Sequence, residues 1–167
     1  MEIERKFTIK HLPDQLEQYT HYVIEQAYLC TDPVVRVRKE DSSYYMTYKG
    51  SGMMSREEYN LPLTAEAYEH LIEKADGIII TKTRYIIPID HIRFAADYQL
   101  TENAKTWKPI IELDVFQGAL SSLIMAEVEF PDEATANAYI PEDWFLLDVT
   151  LDKRYHNSNM SKHGLPC

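Results

Sequence analysis

Charged residues recur two apart along several short stretches of this chain. On an extended strand that spacing puts both members of a pair on one face, about 6.6 Å apart. Glu2, Glu4 and Lys6 alternate with Ile3, Arg5 and Phe7. Arg36 and Arg38 flank Val37, Lys82 and Arg84 flank Thr83, Glu112 and Asp114 flank Leu113, and Glu127 and Glu129 flank Val128. Lys49 and Glu58 fall in two further stretches of the same kind. An antiparallel sheet with one wet face also alternates charged and apolar residues, but such a face mixes signs and shares its positions with Thr, Ser and Gln. Here cation pairs and carboxylate pairs are segregated by stretch, and like charges this close repel unless something between the strands neutralises them. A bound anion would neutralise Lys6, Arg36, Arg38, Lys49, Lys82 and Arg84. Arginine forks pair bidentately with phosphate oxygens, and lysines act beside them as point charges. A divalent cation would neutralise Glu2, Glu4, Asp114, Glu127 and Glu129, which offer the hard oxygen ligands that suit Mg²⁺ or Mn²⁺. The chemistry these residues point to is metal-dependent work on a short, highly charged phosphate chain.

Such side chains need strands to hold them. Strands are expected over 2–9, 22–30, 34–40, 43–49, 55–62, 78–87, 92–99, 109–116 and 124–130, each edged by turn residues. A helix over 65–75 is expected, capped by Thr64 and stopped at Gly77, with a second from Asp132 to about Tyr139 and a short one from Leu16 to about Tyr19. Many short strands and few helices predict an antiparallel sandwich or barrel. The segregated charge favours a closed barrel with a charged lumen. The stretch after Tyr155 is polar and is expected to be loosely held.

Length and composition set the frame. The chain has 167 residues, enough for one domain with a real core. Its 17 Lys and Arg against 27 Asp and Glu give a net charge of −10, which argues against nonspecific nucleic-acid binding and against an anionic membrane surface. No apolar run is long enough to span a bilayer, and the opening residues do not read as a signal peptide. Two cysteines, Cys30 and Cys167, offer neither a disulfide framework nor zinc spacing, so reducing cytoplasm is the expected compartment.

Taken in order, these residues resemble the CYTH superfamily, the triphosphate tunnel metalloenzymes. Glu2-Ile3-Glu4-Arg5-Lys6 is similar to its E-x-E-x-K signature. The likeness continues through Gln26-Ala27-Tyr28-Leu29, Arg36-Val37-Arg38, Tyr48-Lys49-Gly50, Arg56-Glu57-Glu58-Tyr59 and Lys82-Thr83-Arg84-Tyr85. It extends to Glu112-Leu113-Asp114-Val115-Phe116, Ala126-Glu127-Val128-Glu129-Phe130 and the run Val149 to Asn157. The resemblance implies a tunnel domain over 1–157 followed by a polar tail, 158–167. It implies an eight-stranded antiparallel β-barrel with helices packed outside, acting on triphosphates with Mg²⁺ or Mn²⁺. Among inorganic triphosphatases, thiamine triphosphatases, class IV adenylate cyclases and fungal RNA triphosphatases, the chain is most similar to the bacterial inorganic triphosphatases. By position, Lys6, Arg36, Arg38, Lys49, Lys82, Arg84 and Arg154 would bind phosphate. Glu2, Glu4, Glu127 and Glu129 would hold metal, with Asp114 beside them, and Glu58, Asp114 and Lys6 would form the catalytic set. A homodimer is the family-level expectation. Two positions depart from the pattern: Asn60 stands where a second acidic residue is common, and Ala27 where glycine is usual.

Other readings stay open at this stage, namely an adenylate cyclase on the same fold, a thiamine triphosphatase, or a triphosphate sensor without turnover. A sensor gains nothing from carboxylates in its pocket unless a metal is involved. The six histidines show no metal-ligand spacing, and Gly50-Ser51-Gly52 lacks the rest of a P-loop, reading instead as a hairpin turn whose continuation to Met54 forms a lip at a tunnel mouth. Cys30 is expected to be buried, the tyrosines to pack the barrel, and Trp107 and Trp144 to lie in the core or at its rim.

Overall fold

The structure, a computed structural model, describes residues 1–167. The alternating stretches form β1 (Glu2–Ile9), β2 (His21–Thr31), β3 (Val34–Glu40), β4 (Ser43–Lys49), β5 (Ser55–Arg56) and β6 (Glu58–Pro62). They continue as β7 (Asp76–Pro88), β8 (Arg93–Phe94), β9 (Ile110–Phe116), β10 (Ile124–Glu129), β11 (Tyr139–Ile140) and β12 (Phe145–Asp148). The helices are α1 (Ala65–Ile72), α2 (Glu102–Lys105), α3 (Glu133–Ala138) and α4 (Asn157–His163).

Ten strands share one antiparallel sheet in the order β12-β1-β10-β9-β7-β2-β3-β4-β6, with β5 also on β1. β5 and β6 are one strand interrupted at Glu57. Because β5 sets Arg56 opposite Glu2 and Ser55 opposite Ile3, it joins the two ends of the sheet and closes an eight-stranded barrel. A barrel of this size is just wide enough to hold packed side chains or one small ligand. β1 has β10 along one side. On the other side it has β5 at its start and β12 at its end, where Phe7 faces Asp148 and Ile9 faces Phe145.

The apolar members of the alternating pairs face outward. Ile3, Phe7, Leu113, Ala126 and Val128 form a core beneath Phe130, Ala136, Tyr139 and Phe145, so α3 and the β11–β12 segment lie over the outside of the barrel. Trp107 and Trp144 pack at its edge, as expected of core or rim residues. The lumen is charged at its middle but apolar at one end. There Tyr28, Val34, Ile80, Phe116 and Met125 meet Leu120, Val149 and Met160. This apolar end is what α4 docks on.

Side-chain caps start α1 and α3. The Thr64 hydroxyl accepts from the Ala67 N–H at 3.1 Å, and Asp132 accepts from the Thr135 N–H at 2.8 Å. α1 is shorter than its apolar stripe suggested, and Gly77 lies inside β7 with φ +72°. The expected helix near Leu16 is a single 3₁₀ turn.

Three expectations need correction. The strand expected over 92–99 is only the two-residue β8, paired with β11 outside the barrel. Cys30 is exposed, because a register shift between Tyr28 and Cys30 turns its side chain out of the wall. The stretch after Tyr155 is not loose: α4 buries Met160 and Ser161 almost completely. A Cβ at Gly77 would stand 2.2 Å from the Ser161 carbonyl oxygen, which is how closely α4 lies on β7. No helix is long and apolar enough to cross a membrane.

Candidate active site

Every strand of the barrel contributes an inward side chain to a chamber of about 250 Å³. Glu2, Glu4 and Lys6 come from β1, Arg36 and Arg38 from β3, Lys49 from β4 and Glu58 from β6. Arg84 comes from β7, Glu112 from β9, and Glu127 and Glu129 from β10. Antiparallel register brings the pairs together: Glu4 lies opposite Glu129, Lys6 opposite Glu127, and Lys49 opposite Glu58.

Most cations here sit between two carboxylates. Lys6 Nζ lies 2.7 Å from both Glu4 and Glu127, and Lys49 Nζ lies 2.5 Å from Glu2 and 3.0 Å from Glu58. Arg84 reaches Glu112, Asp114 and Glu127, the last at 2.9 Å. Arg38 donates through Nε to Gln26 at 2.8 Å. Arg36 is different: it forms no ion pair, and its buried Nε has no acceptor.

Two expected site residues stand behind the chamber wall. Lys82 and Asp114 are completely buried and are bonded to each other at 2.5 Å. Asp114 also accepts from Arg84 Nε at 2.7 Å and from Arg84 Nη2 at 2.8 Å. Both its oxygens are thus engaged by cations and it does not line the chamber, whereas the expected metal-ligand and water-orienting roles would need an oxygen facing it. Arg154 is not brought to the chamber. It is exposed and pairs with Asp152 at 2.6 Å, because the 3₁₀ turn that carries it lies outside the barrel. Glu112, which the sequence pairs with Asp114 but which carried no assigned role, does line the chamber, and so does Asn157 at the start of α4. The Glu-x-Asp spacing was the signal for Glu112. Nothing in the sequence marks Asn157 as inward-facing, since only the docking of α4 puts it there.

The charge of the wall shows in its carboxyls. Burial pushes Glu2 up to about 7, with the Glu4 charge adding to it despite Lys49. Burial and carboxylate neighbours likewise raise Glu112 and Glu129. Burial also opposes ionisation of Glu58, but Lys49 and hydrogen bonds from its neighbours outweigh it and hold that carboxyl at about 2. Asn60 is one of those neighbours. Its Nδ2 donates to Glu58 at 2.8 Å while its Oδ1 accepts from Thr47 at 2.6 Å, so the amide that replaces a common acidic residue steadies Glu58. Burial brings Lys82 down to about 8, more than Asp114 restores.

A family model described as CYTH domain matches residues 1–138. An inorganic triphosphatase of Nitrosomonas europaea is 38% identical over 164 residues, with 96% of each chain covered. An inorganic triphosphatase of Acetivibrio thermocellus is 33% identical, covering 97% of this chain and 94% of its own. The crystal structure of the inorganic triphosphatase NE1496 superposes with a TM-score of 0.63 at 34% identity, covering 96% of this chain and 94% of that one. A conserved hypothetical protein from Pyrococcus furiosus shares the fold at a TM-score of 0.50 and 17% identity. With the signature residues converging on one chamber of one barrel and matches of this extent, the chain belongs to the CYTH domain family.

Proposed function

We propose that this protein hydrolyses inorganic tripolyphosphate to pyrophosphate and phosphate inside the barrel, with a divalent metal ion. Arg36 carries this reading: a buried guanidinium with no carboxylate partner, in a chamber whose other cations are mostly held between carboxylates, is a site for an anion. The relatives named inorganic triphosphatase give the anion its class.

The donor set fits a metal. Five cationic side chains and seven carboxylates line the chamber, so the empty wall is net negative and would repel a triphosphate alone. Burial first, and then carboxylate neighbours, raise Glu2, Glu112 and Glu129, a cost that a bound cation would offset. As the side chains lie, no three carboxylates stand close enough to hold an ion, because lysines occupy the spaces between them. Phosphate oxygens would draw Lys6 and Lys49 away and free Glu2, Glu4, Glu127 and Glu129 as the ligand group. A bound Mg²⁺ or Mn²⁺ supplies charge neutralisation for phosphoryl transfer.

The chain's own residues do the rest. Arg36, Arg38 and Arg84 grip phosphate oxygens, and Asp114 holds Arg84 at the angle that lets its remaining edge face the chamber. Glu58 at about 2 is too weak a base to take a proton at neutral pH, so its part is to orient the water. The water's oxygen forms the new P–O bond as the bridging P–O bond breaks, and the water's proton passes to a phosphate oxygen. The leaving pyrophosphate keeps the bridging oxygen with its electron pair and remains among the arginines.

The test is product release from tripolyphosphate, thiamine triphosphate and ATP with Mg²⁺, Mn²⁺ or EDTA. Metal-dependent phosphate release dominated by tripolyphosphate is the expected result. Cyclic AMP and pyrophosphate from ATP, or binding of tripolyphosphate without turnover, would overturn it.

A further inference from the structure

Along β2, β3 and β4 the inward positions pass from the chamber into a different compartment. Tyr22, Arg38 and Tyr45 line the chamber alone, Arg36 and Lys49 line both the chamber and a narrow slot of about 20 Å³, and Val34 lines the slot and an outer vestibule of about 490 Å³. The slot is at the scale of a single water and cannot pass a phosphate group. The vestibule is therefore a separate compartment, held between the β4–β5 loop and α4.

Its charge is net positive. Arg56, Lys153 and Lys162 line it, none of them forms an ion pair, and Asp32 is its one acidic residue. Elsewhere Arg93, Lys105 and Arg154 each find a carboxylate, while Lys10, Lys39, Lys74 and Lys108 are also without an ion pair but do not share one concavity. In a chain with 27 acidic residues against 17 basic ones, three unpaired cations around one concavity repel each other and focus a positive field into it. The wall it shares with the slot adds an independent sign. His156 lines both, and its buried Nε2 has no partner. Burial, then the Lys6 and Arg56 charges, bring the His156 ring down to about 4, so it stands neutral and free to donate or accept. Ser51 and Ser158 supply hydroxyls at the rim.

We propose that this vestibule is a second binding site, for a short inorganic phosphate anion taken from solution, distinct from the chamber. Three cations facing one concavity match the charge of a pyrophosphate better than that of a monovalent anion, and the hydroxyls and imidazole give its oxygens partners that simple ion pairing would not need. The assignment stands apart from the hydrolase reading, since it concerns binding outside the chamber.

The test is a titration of the metal-free protein with sodium pyrophosphate, read by the amide and histidine-ring NMR signals, with sodium chloride at matched ionic strength as the control. Saturable shifts are expected at Gly52, Lys162, His156 and His163, and they should persist in Arg36→Ala, where the chamber is impaired. The double variant K153E/K162E should weaken them at least tenfold while leaving the far-ultraviolet circular dichroism and tripolyphosphate turnover unchanged. Shifts that chloride reproduces, that never saturate, or that survive in K153E/K162E would overturn the site. Loss of turnover in the unmodified protein would bear on the hydrolase reading alone, because the vestibule signals are read without it.

Discussion

Arg36 and Asp114 are both buried beside charge, yet their removal should have opposite consequences. Arg36 has no carboxylate to leave behind, so Arg36→Ala should shift thermal unfolding little. It should cut tripolyphosphate kcat/KM by about 10–100-fold, the worth of one or two charge-assisted hydrogen bonds. Asp114→Ala strands Lys82 and Arg84 together in the interior, and should cost about 3–5 kcal/mol of stability in denaturant titration before any effect on rate is considered. Equal stability losses for the two would contradict the division between a gripping arginine and its supporting carboxylate. Glu2 gives a pH test. Its folded-state value of about 7 lies above its ordinary 4.5, so the fold binds a proton that the unfolded chain releases. While His156, held down at about 4, contributes in the opposite sense over about 4 to 6.5, the Glu2 contribution to metal-free stability, read as the difference from Glu2→Gln, should therefore fall as pH rises from about 4.5 to 7 and then level. Over the same range Mn²⁺ affinity should rise, because the ion competes with that proton. Glu2→Gln should flatten both trends, and calorimetric titration across pH 5–8 would show whether it does.

At the scale of elements, local signals decided what could be read and tertiary contact decided the remainder. Thr64 and Asp132 mark the starts of α1 and α3 because a cap is a bond within a few residues, and alternation marks β1, β3, β9 and β10 because period two is local as well. α4 escaped that reading. Its sequence is polar and gains helical order from Met160 entering the apolar end of the barrel, a contact with residues far away in the chain. The same holds inside the lumen, where spacing told which charges share a face but not depth. Lys82 and Asp114 are as regular in pattern as Arg36 and Arg38, yet the apolar end pushes them behind the wall. Gly77→Ala tests the α4 contact directly. With φ +72° and a carbonyl 2.2 Å from the added Cβ, it should cost ~2–3 kcal/mol and loosen α4, seen as faster hydrogen exchange at Met160 and Ser161. Thr64→Ala should cost only ~1 kcal/mol and leave turnover intact, since Tyr68 of α1 meets the barrel at Glu25 and Tyr44, neither of which lines the chamber.

The molecule as a whole inverts the usual arrangement of a small barrel, with a polar interior and an apolar jacket. That inversion is affordable only because the outer core is covered by α3, β11 and β12. It also rests on β1, which carries part of the charged wall on one face, part of the jacket on the other, and three partner strands at its edges. Two of those partners, β10 and β12, are encoded more than a hundred residues downstream. Such long-range pairings must wait for chain to be made. At about 5–20 residues per second, the ribosome releases β10 roughly ten seconds after β1. In that interval the nascent chain already holds every cation of the chamber, with no carboxylates from β9 and β10 to balance them. The strand that emerges earliest is satisfied last. Stalling translation ahead of Phe130 should accordingly yield a chain that is protease-sensitive throughout β1 to β4, with protection arriving in one step once β10 is free.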